Sequence, residues 1–425
     1  MLPNIPKNQS QRVVIVGAGF GGLALARELS KNTGIQVVII DKNNYHQFQP
    51  LLYQVAMAGL EPSSIAFPLR KVFQNKKNVH IRVTEVTGIN NAQNTIETPL
   101  GTIEYDYLVL AIGATTNFFG MPNITNLALP MKSIAEAIAL RNRLLQNFED
   151  AVTAENDDIR RGLLNVVVVG GGPTGVEVSG MLAEMKKHIL PKDYPELNFD
   201  AMQIYLFESS GEVLEVMSDE ASASGKQYLE KLGVNLRLGE RITDFDGQYA
   251  YINNGDKIRT NNVIWAAGIT GNSVAGIPAE AMTRGNRIKV NNYNQVVGLE
   301  NIFAIGDIAS MAQEKYPNGH PQMAQGAIQQ GTLLAKNLLK AIAKQPMEAF
   351  CYKDLGSMAT VGRNLAVVDL PFWKFQGFFA WLTWMFVHLM ALVGVKNRLL
   401  VFLNWVWNYV TYDQALRLII RSKKS

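Results

Sequence analysis

Arg12-Val-Val-Ile-Val-Gly17-Ala-Gly19-Phe20-Gly-Gly22 is a short β-branched apolar run that breaks into glycines. Leu23, Leu25, Ala26 and Leu29 follow at helical spacing, and a second apolar run, Val37-Val-Ile-Ile40, ends at Asp41. The spacing predicts a strand, a helix and a strand. The glycines fit G-x-G-x-x-G: Gly17 makes the tight turn, Gly19 lets a pyrophosphate approach the backbone, and Gly22 lets the helix pack on the strand. The helix N-terminus then offers N–H donors and the positive end of its dipole to phosphate. Asp41 stands 19 residues after Gly22, where an acid hydrogen-bonds ribose hydroxyls, with Lys42 beside it.

The same pattern returns at Asn165-Val-Val-Val-Val-Gly170-Gly-Gly172-Pro173-Thr174-Gly175, with Val176, Val178, Met181 and Leu182 after it. Ile204-Tyr-Leu-Phe207 closes the unit at Glu208. One glycine loop fits any strand-to-helix turn, but loop, helix, strand and acid found twice argue for two nucleotides. Glu208 is followed by Ser209 and Ser210 rather than an arginine, which favours NADH over its 2′-phosphorylated form. The economical pairing is FAD with NADH, since a flavin accepts a hydride and passes it on as electrons.

Three further runs end in small residues: Tyr107 to Gly113, Val263 to Gly268, and Asn301 to Asp307. Alternating strands and helices imply parallel sheets with right-handed crossovers. The expected architecture is therefore α/β, with two Rossmann-like dinucleotide-binding domains and a C-terminal amphipathic helical region. The FAD domain is expected to be discontinuous, over 8–115 and 298–345, with the NADH domain over 116–297 and the C-terminal region over 346–425. Polar stretches at Ala154 to Arg161 and Lys186 to Asp200 read as a linker and a loop insertion.

With 425 residues, 48% of them hydrophobic, the chain can build more than one core. Its net charge of +4 gives no reason to expect nucleic acid, yet the charge is uneven. From Pro371 onward Lys374, Lys396, Arg398, Arg417, Arg421, Lys423 and Lys424 face Asp413 alone, a balance of +6 that leaves −2 elsewhere. Five of the six tryptophans, Trp373, Trp381, Trp384, Trp405 and Trp407, lie there too, a composition suited to a membrane interface. Cys351 is the single cysteine, so no internal disulfide and no CxxC dithiol is expected, which suits a reducing compartment. The polar first twelve residues carry no secretory h-region, and the body is expected in the cytoplasm. The five histidines have no ligand spacing, so no metal site is expected.

These signatures resemble the two-dinucleotide-binding flavoproteins, whose disulfide reductases and sulfide:quinone reductases use paired cysteines that this chain lacks. More closely, the chain resembles the type II, single-subunit, non-pumping NADH:quinone dehydrogenases. The matching pieces are Asn44 to Ala56, Gly172-Pro-Thr-Gly175-Val-Glu177, Ala266-Ala267-Gly268, Ile305-Gly306-Asp307 and Ala324-Gln325-Gly-Ala-Ile328-Gln329-Gln. The resemblance implies that Asp307 bonds the ribityl chain or pyrophosphate of FAD and that Ala111 to Gly113 pass close to the flavin. It implies that Ala267 and Gly268 belong to the NADH site. It places Gln325, Ile328 and Gln329 at the quinone pocket, Gln325 bonding a carbonyl and Ile328 forming a wall. It sets Glu177 near nicotinamide and flavin, where it would relay a proton as quinone becomes quinol. It further implies a peripheral membrane homodimer that reduces a membrane quinone, ubiquinone or menaquinone, on the cytoplasmic face. His46 and Phe48 to Tyr53 are expected to pack beside FAD.

Phe375 to Val395 holds no Asp, Glu, Lys or Arg, and its 21 residues are long enough to span a bilayer. Yet Gln376, Ala380, Thr383, Ala391 and Gly394 recur at helical spacing and suggest a face packed on protein. In the next segment Asn397, Asn404, Asn408 and Thr411 form a polar stripe opposite Leu399, Phe402, Leu403, Trp405 and Val406. An amphipathic pair lying in one leaflet is the expectation, with a spanning helix and a lipid-free dimer interface as alternatives. A reductase of another acceptor and a membrane-bound flavin redox sensor are the alternative functions.

Overall fold

The computed structural model describes residues 2–6, 8–413 and 416–420, so Arg421, Lys423 and Lys424 of the basic tail lie outside the described residues. In chain order, β1 (Gln11–Val16), α1 (Phe20–Leu29), β2 (Ile35–Asp41), β3 (Val79–Val83) and β4 (Tyr107–Leu110) come first. There follow β5 (Leu129–Pro130), β6 (Val166–Val169), α2 (Pro173–His188), β7 (Ile204–Glu208), β8 (Asn235–Leu238) and β9 (Asn262–Trp265). β10 (Ile302–Ala304) and α3 (Ala324–Ile342) precede β11 (Ser357–Gly362), β12 (Leu365–Leu370), β13 (Trp373–Gln376), α4 (Phe378–Ala391) and α5 (Val395–Thr411).

Two compact units divide these elements, one of Met1–His46, Phe67–Thr115 and Ile269–Asp354, the other of Gln47–Ala66, Thr116–Gly268 and Leu355–Ser425. In the first, five parallel strands run in the order β10-β4-β1-β2-β3. Val13, Val14 and Ile15 are fully buried, as expected for a strand covered on both faces. In the second unit the parallel order is β5-β9-β6-β7-β8, and Val166 to Val168 are buried in the same way. Residues 47–66 cluster with the second unit because the buried helix Leu52–Ala56 packs on the helix Ile134–Val152 and on α2. Residues 269–297 cluster with the first, where Ile288, Val290 and Val296 enter the core around β1, β2 and β4.

Three local expectations change. Where Lys186 to Asp200 reads as a loop insertion, α2 runs on to His188 and a short helix, Leu190–Asp193, follows. The stretch expected as a linker forms a helix, Asp157–Leu164, because the Asn156 side chain caps it by accepting from Ile159 N–H at 2.9 Å. The uncharged 21-residue run does not make one long helix. β13 takes its first residues by pairing with β12, and α4 stops at Ala391, a length of about 21 Å against a hydrocarbon core of about 30 Å. Among the described residues no helix is long and apolar enough to cross a membrane.

The tail is amphipathic, with its polar side turned inward. Asn397 Nδ2 donates to Ala66 O at 2.9 Å, Asn408 Nδ2 to Gly59 O at 3.3 Å, and Trp405 Nε1 to Gln54 Oε1 at 2.7 Å. Trp405, expected on the apolar side, therefore belongs to the protein-facing one. On α4 the buried positions are Ala380 and Trp384, while Ala391 and Gln376, expected on the packed face, are exposed. Outward, Phe379 and Val410 are each 74% exposed, accompanied by Phe386, Leu403 and Trp407.

Candidate functional site

Gly17 adopts φ +97°, and a Cβ there would lie 2.3 Å from Ala111 O; at Gly22 it would lie 1.9 Å from Gly17 O. Gly19 meets nothing within 4 Å, so the loop is tight against protein on one side and open on the other. α1 begins at Phe20 with no side-chain cap and no acid in its first turn, which leaves its N–H donors to an anion. Asp41 turns back on the loop, its Oδ2 accepting from Ala18 N–H at 2.7 Å. Burial raises the pKa of the Asp41 carboxyl, and the N–H groups of Asn43 and Ala18 oppose that rise. Gly113, at φ +66°, likewise has open space where a side chain would be.

Because β1, β2, β4 and β10 are parallel neighbours, Gly17, Asp41, Ala111 and the Gly306–Ile308 turn holding Asp307 all stand at the C-terminal edge of one sheet. His46 is buried, with Nδ1 3.0 Å from Ala18 O and its ring edge-on to Phe20 at 5.2 Å. Lys42 points away, pairing on the surface with Glu85 at 2.7 Å. Among the other expected residues of this unit, Gln329 is engaged at both ends, donating to Lys353 O at 2.8 Å and accepting from Lys353 N–H at 3.0 Å. Gln325 is half-buried and Ile328 is 42% exposed on the same helix. α3 carries them against α1 at close range, for a Cβ on Gly331 would lie 2.3 Å from Gly21 O. Gln330, which the motif did not single out, is buried and accepts from Gly306 N–H at 2.6 Å, tying α3 to the turn of Asp307.

The second unit repeats the first loop bond for bond. Gly170 N–H donates to Phe207 O at 2.8 Å as Gly17 N–H donates to Ile40 O at 2.7 Å; Ala266 N–H bonds Val169 O and Ala111 N–H bonds Val16 O, both at 2.8 Å. Gly170 adopts φ +110°, Gly175 approaches Gly170 O as Gly22 approaches Gly17 O, and Gly172 again has nothing within 4 Å. Glu208 Oε2 accepts from Gly171 N–H at 2.6 Å, the counterpart of Asp41 and Ala18. α2 starts uncapped at Pro173, and Thr174 is exposed beside it. Ala267 and Gly268 follow β9, Gly268 at φ +71°.

α2 departs from α1 after its first turn. Glu177 is buried to 8% exposure, and burial pushes its carboxyl well above the usual range, opposed by the backbone of Thr360 and the indole of Trp384. Trp384 Nε1 nonetheless has no acceptor at full hydrogen-bond geometry, so its approach to Glu177 is a polar contact rather than a formed bond. Gly180 lets α2 lie directly on β11, since a Cβ there would be 1.5 Å from Val361 O. Glu177 opens into a cavity of about 130 Å³ walled on one side by Trp381, Trp384, Met385 and Trp405 of the tail, and on others by Tyr53, Gln54, Glu184, His188 and Arg363. Neither Glu184 nor Arg363 stood out in the sequence. Glu184 was visible only as a second acid seven residues after Glu177, and Arg363 carries no motif.

Residues 11–331 match the model of the pyridine nucleotide-disulphide oxidoreductase family, and residues 355–411 that of the NDH2 C-terminal domain. The chain is 34% identical to a type II NADH:quinone oxidoreductase of Mycobacterium tuberculosis, over 96% of this chain and 90% of the other. It is 27% identical to a type II NADH:quinone oxidoreductase of Haemophilus influenzae, over 85% and 87%. Its fold matches that of NDH2 from Plasmodium falciparum in complex with NADH with a TM-score of 0.89 at 22% identity, covering 97% of this chain and all of the other.

Proposed function

The chain belongs to the type II NADH:quinone oxidoreductases within the pyridine nucleotide-disulphide oxidoreductase family, and from that premise we infer that it oxidises NADH and reduces a membrane quinone to quinol without pumping protons. Its cofactors are FAD and NADH. The observation that carries this reading is Glu177: it rises from the second glycine loop into a cavity whose other wall is the apolar tail.

Bound FAD supplies acceptance of a hydride from NADH and return of two electrons to the quinone. Gly17, Gly19, Phe20, Gly22 and Asp41 would hold its pyrophosphate and ribose, with Ala111, Gly113 and Asp307 at the same sheet edge. Lys42, turned to Glu85, contributes charge at the rim. Gly172, Pro173, Thr174, Gly175 and Glu208 would hold NADH, with Ala267 and Gly268 at the end of the neighbouring strand. The Glu208 carboxylate repels a 2′-phosphate and so selects NADH. Gln325 would bond a quinone carbonyl and Ile328 would supply apolar surface, whereas Gln329 would act by fixing α3 through Lys353. Glu177, whose carboxyl burial pushes well above the usual range, would give a proton as quinol forms.

Membrane association supplies the quinone, which dissolves in lipid. The outward face of α4 and α5 would rest in one leaflet, on the cytoplasmic side, with Lys396 and Arg398 near lipid phosphate. A homodimer completes the reading. The test is NADH oxidation by purified yellow protein with and without a short-chain quinone. One quinol formed per NADH supports the reading, and NADH binding without quinone-dependent turnover favours a redox sensor.

A further inference from the structure

Glu177, Glu184 and His188 stand at i, i+7 and i+11 on α2, and all three line the same cavity. Seven residues are about two turns, so the two carboxyl groups share a helix face about 10.5 Å apart along the axis. His188 ends the helix and is half-exposed, its ring 4.7 Å from that of Tyr412. The row therefore runs from a buried acid to the surface.

Glutamate side chains alone do not close such an interval, whereas a chain of water molecules would. The cavity of about 130 Å³ has room for several water molecules, each needing about 10–15 Å³ of such space. Buried Nε and Nη1 of Arg363, a residue lining the cavity, have no hydrogen-bond partner in the protein. Buried donors of this kind are satisfied by water or ligand. Arg363 itself is fixed between the rings of Tyr409 and Tyr412, 3.9 Å from each centroid, with its backbone N–H on Glu184 and a guanidinium N–H on Tyr409 O. Those donors thus keep their place beside the row.

We propose that Glu177, Glu184 and His188 form a proton relay along α2 that carries one proton per turnover from solvent to the quinone reaction. The proposal rests on the quinone reading above. NADH, quinone and one proton give NAD⁺ and quinol; NADH supplies two electrons and one hydrogen, and water must supply the other. Glu177 gives its O–H proton to the quinol oxygen, Glu184 restores it through the intervening water, and His188 draws the replacement from solvent. The ionisable groups facing the row are Tyr53 from the helix Leu52–Ala56, Arg363 from the β11–β12 turn, Tyr409 and Tyr412 from α5 and its end, and, around His188, Asp193, Asp413 and Arg417. Lys187 and Lys192 lie beside His188 and, after its burial, hold its proton affinity down. Burial raises the pKa of both carboxyl groups, and at Glu184 the backbone N–H and charge of Arg363 oppose that rise.

The test is Glu184→Gln in the holoenzyme, which keeps an oxygen to accept the Arg363 N–H. Quinone-dependent turnover is expected to fall about tenfold, with KM for quinone and the rate of flavin bleaching by NADH within about twofold of the parent. Millimolar imidazole or acetic acid is expected to restore several-fold of the loss. His188→Gln is expected to lose about threefold and to respond to imidazole. Unchanged turnover in Glu184→Gln overturns the relay, as does a loss shared with KM and indifferent to small acids. If the parent itself reduces no quinone, the functional reading fails and the relay with it; a parent that turns over beside an unaffected Glu184→Gln removes the relay alone.

Discussion

The two glycine loops are nearly superimposable in their bonds, yet the helices that leave them do different things. α1 carries no acid in its first turn and packs through Gly21 against Gly331 of α3. α2 carries Glu177 and Glu184 and packs through Gly180 on β11. Both loops offer an open glycine, an uncapped helix and an acid bonded back to the backbone, which is a nucleotide bed. The second helix continues into an aromatic cavity with ionisable groups. The shared geometry fits two dinucleotides, and the difference is the basis of the proposal that α2 serves the step after hydride transfer.

The sharpest way to break this division is to spoil each loop separately. Gly22→Ala and Gly175→Ala each push a methyl into a carbonyl oxygen of the preceding turn. Gly22→Ala is expected to yield chain with little bound flavin, read as the ratio of 450 to 280 nm absorbance. Gly175→Ala is expected to stay yellow while KM for NADH rises more than about tenfold, since overpacking at a tight contact costs about 1–3 kcal/mol. Equal flavin loss in both variants would show that the loops are not independent.

Next in size, Glu177→Gln is expected to lower quinone-dependent turnover by about a hundredfold while NADH still bleaches the flavin at nearly the parental rate. The same variant has a stability signature. Burial raises the folded-state affinity of Glu177 for its proton, so the native chain binds more protons than the unfolded chain between the ordinary carboxylate pKa and the raised one. Stability is therefore present at low pH and lost as pH rises through that window. Glu177→Gln is expected to raise Tm relative to the parent at pH 8 and to leave it closer to the parent at pH 4. A uniform shift at both pH values would mean that the carboxyl is not held neutral.

Much of this division is legible in the sequence, and the rest is not, for physical reasons. Gly17 with Asp41 and Gly170 with Glu208 are local, because a φ near +100° and a close approach to backbone admit only glycine. The tail is harder. Its Asn stripe at helical spacing is visible, but a stripe does not say which side faces protein; Asn397 and Asn408 turn inward because carbonyls of Ala66 and Gly59 await them, over 300 residues away in sequence. By its chemistry Trp405 belongs with the apolar face, yet its indole turns inward and donates to Gln54 Oε1. The uncharged run at Phe375 looks long enough to span until β13 claims its start. Gln329 reads as a ligand from its motif, whereas its amide is already used by Lys353.

Smaller effects sharpen the picture. Glu208→Gln removes the charge that opposes a 2′-phosphate while keeping a hydrogen-bonding group, and is expected to shift the NADH to NADPH preference about tenfold toward NADPH in kcat/KM, as the loss of a repulsion worth about 1–2 kcal/mol would. On the tail, Phe386→Glu with Trp407→Glu is expected to release the protein from anionic vesicles in a flotation assay, each residue forgoing about 2 kcal/mol of apolar transfer. Flavin content and reduction by NADH are expected to be unchanged, because both side chains face outward. Retained vesicle binding would move the membrane contact elsewhere.

The most direct test of the division between the helices is anaerobic stopped-flow of the yellow protein beside Glu177→Gln, following 450 nm absorbance first after NADH and then after a short-chain quinone. Parent and variant are expected to bleach at matching rates, and only the parent to recover its colour rapidly on quinone. Equal recovery in both, or a parent whose bleached flavin ignores quinone, would contradict the assignment of quinone chemistry to α2.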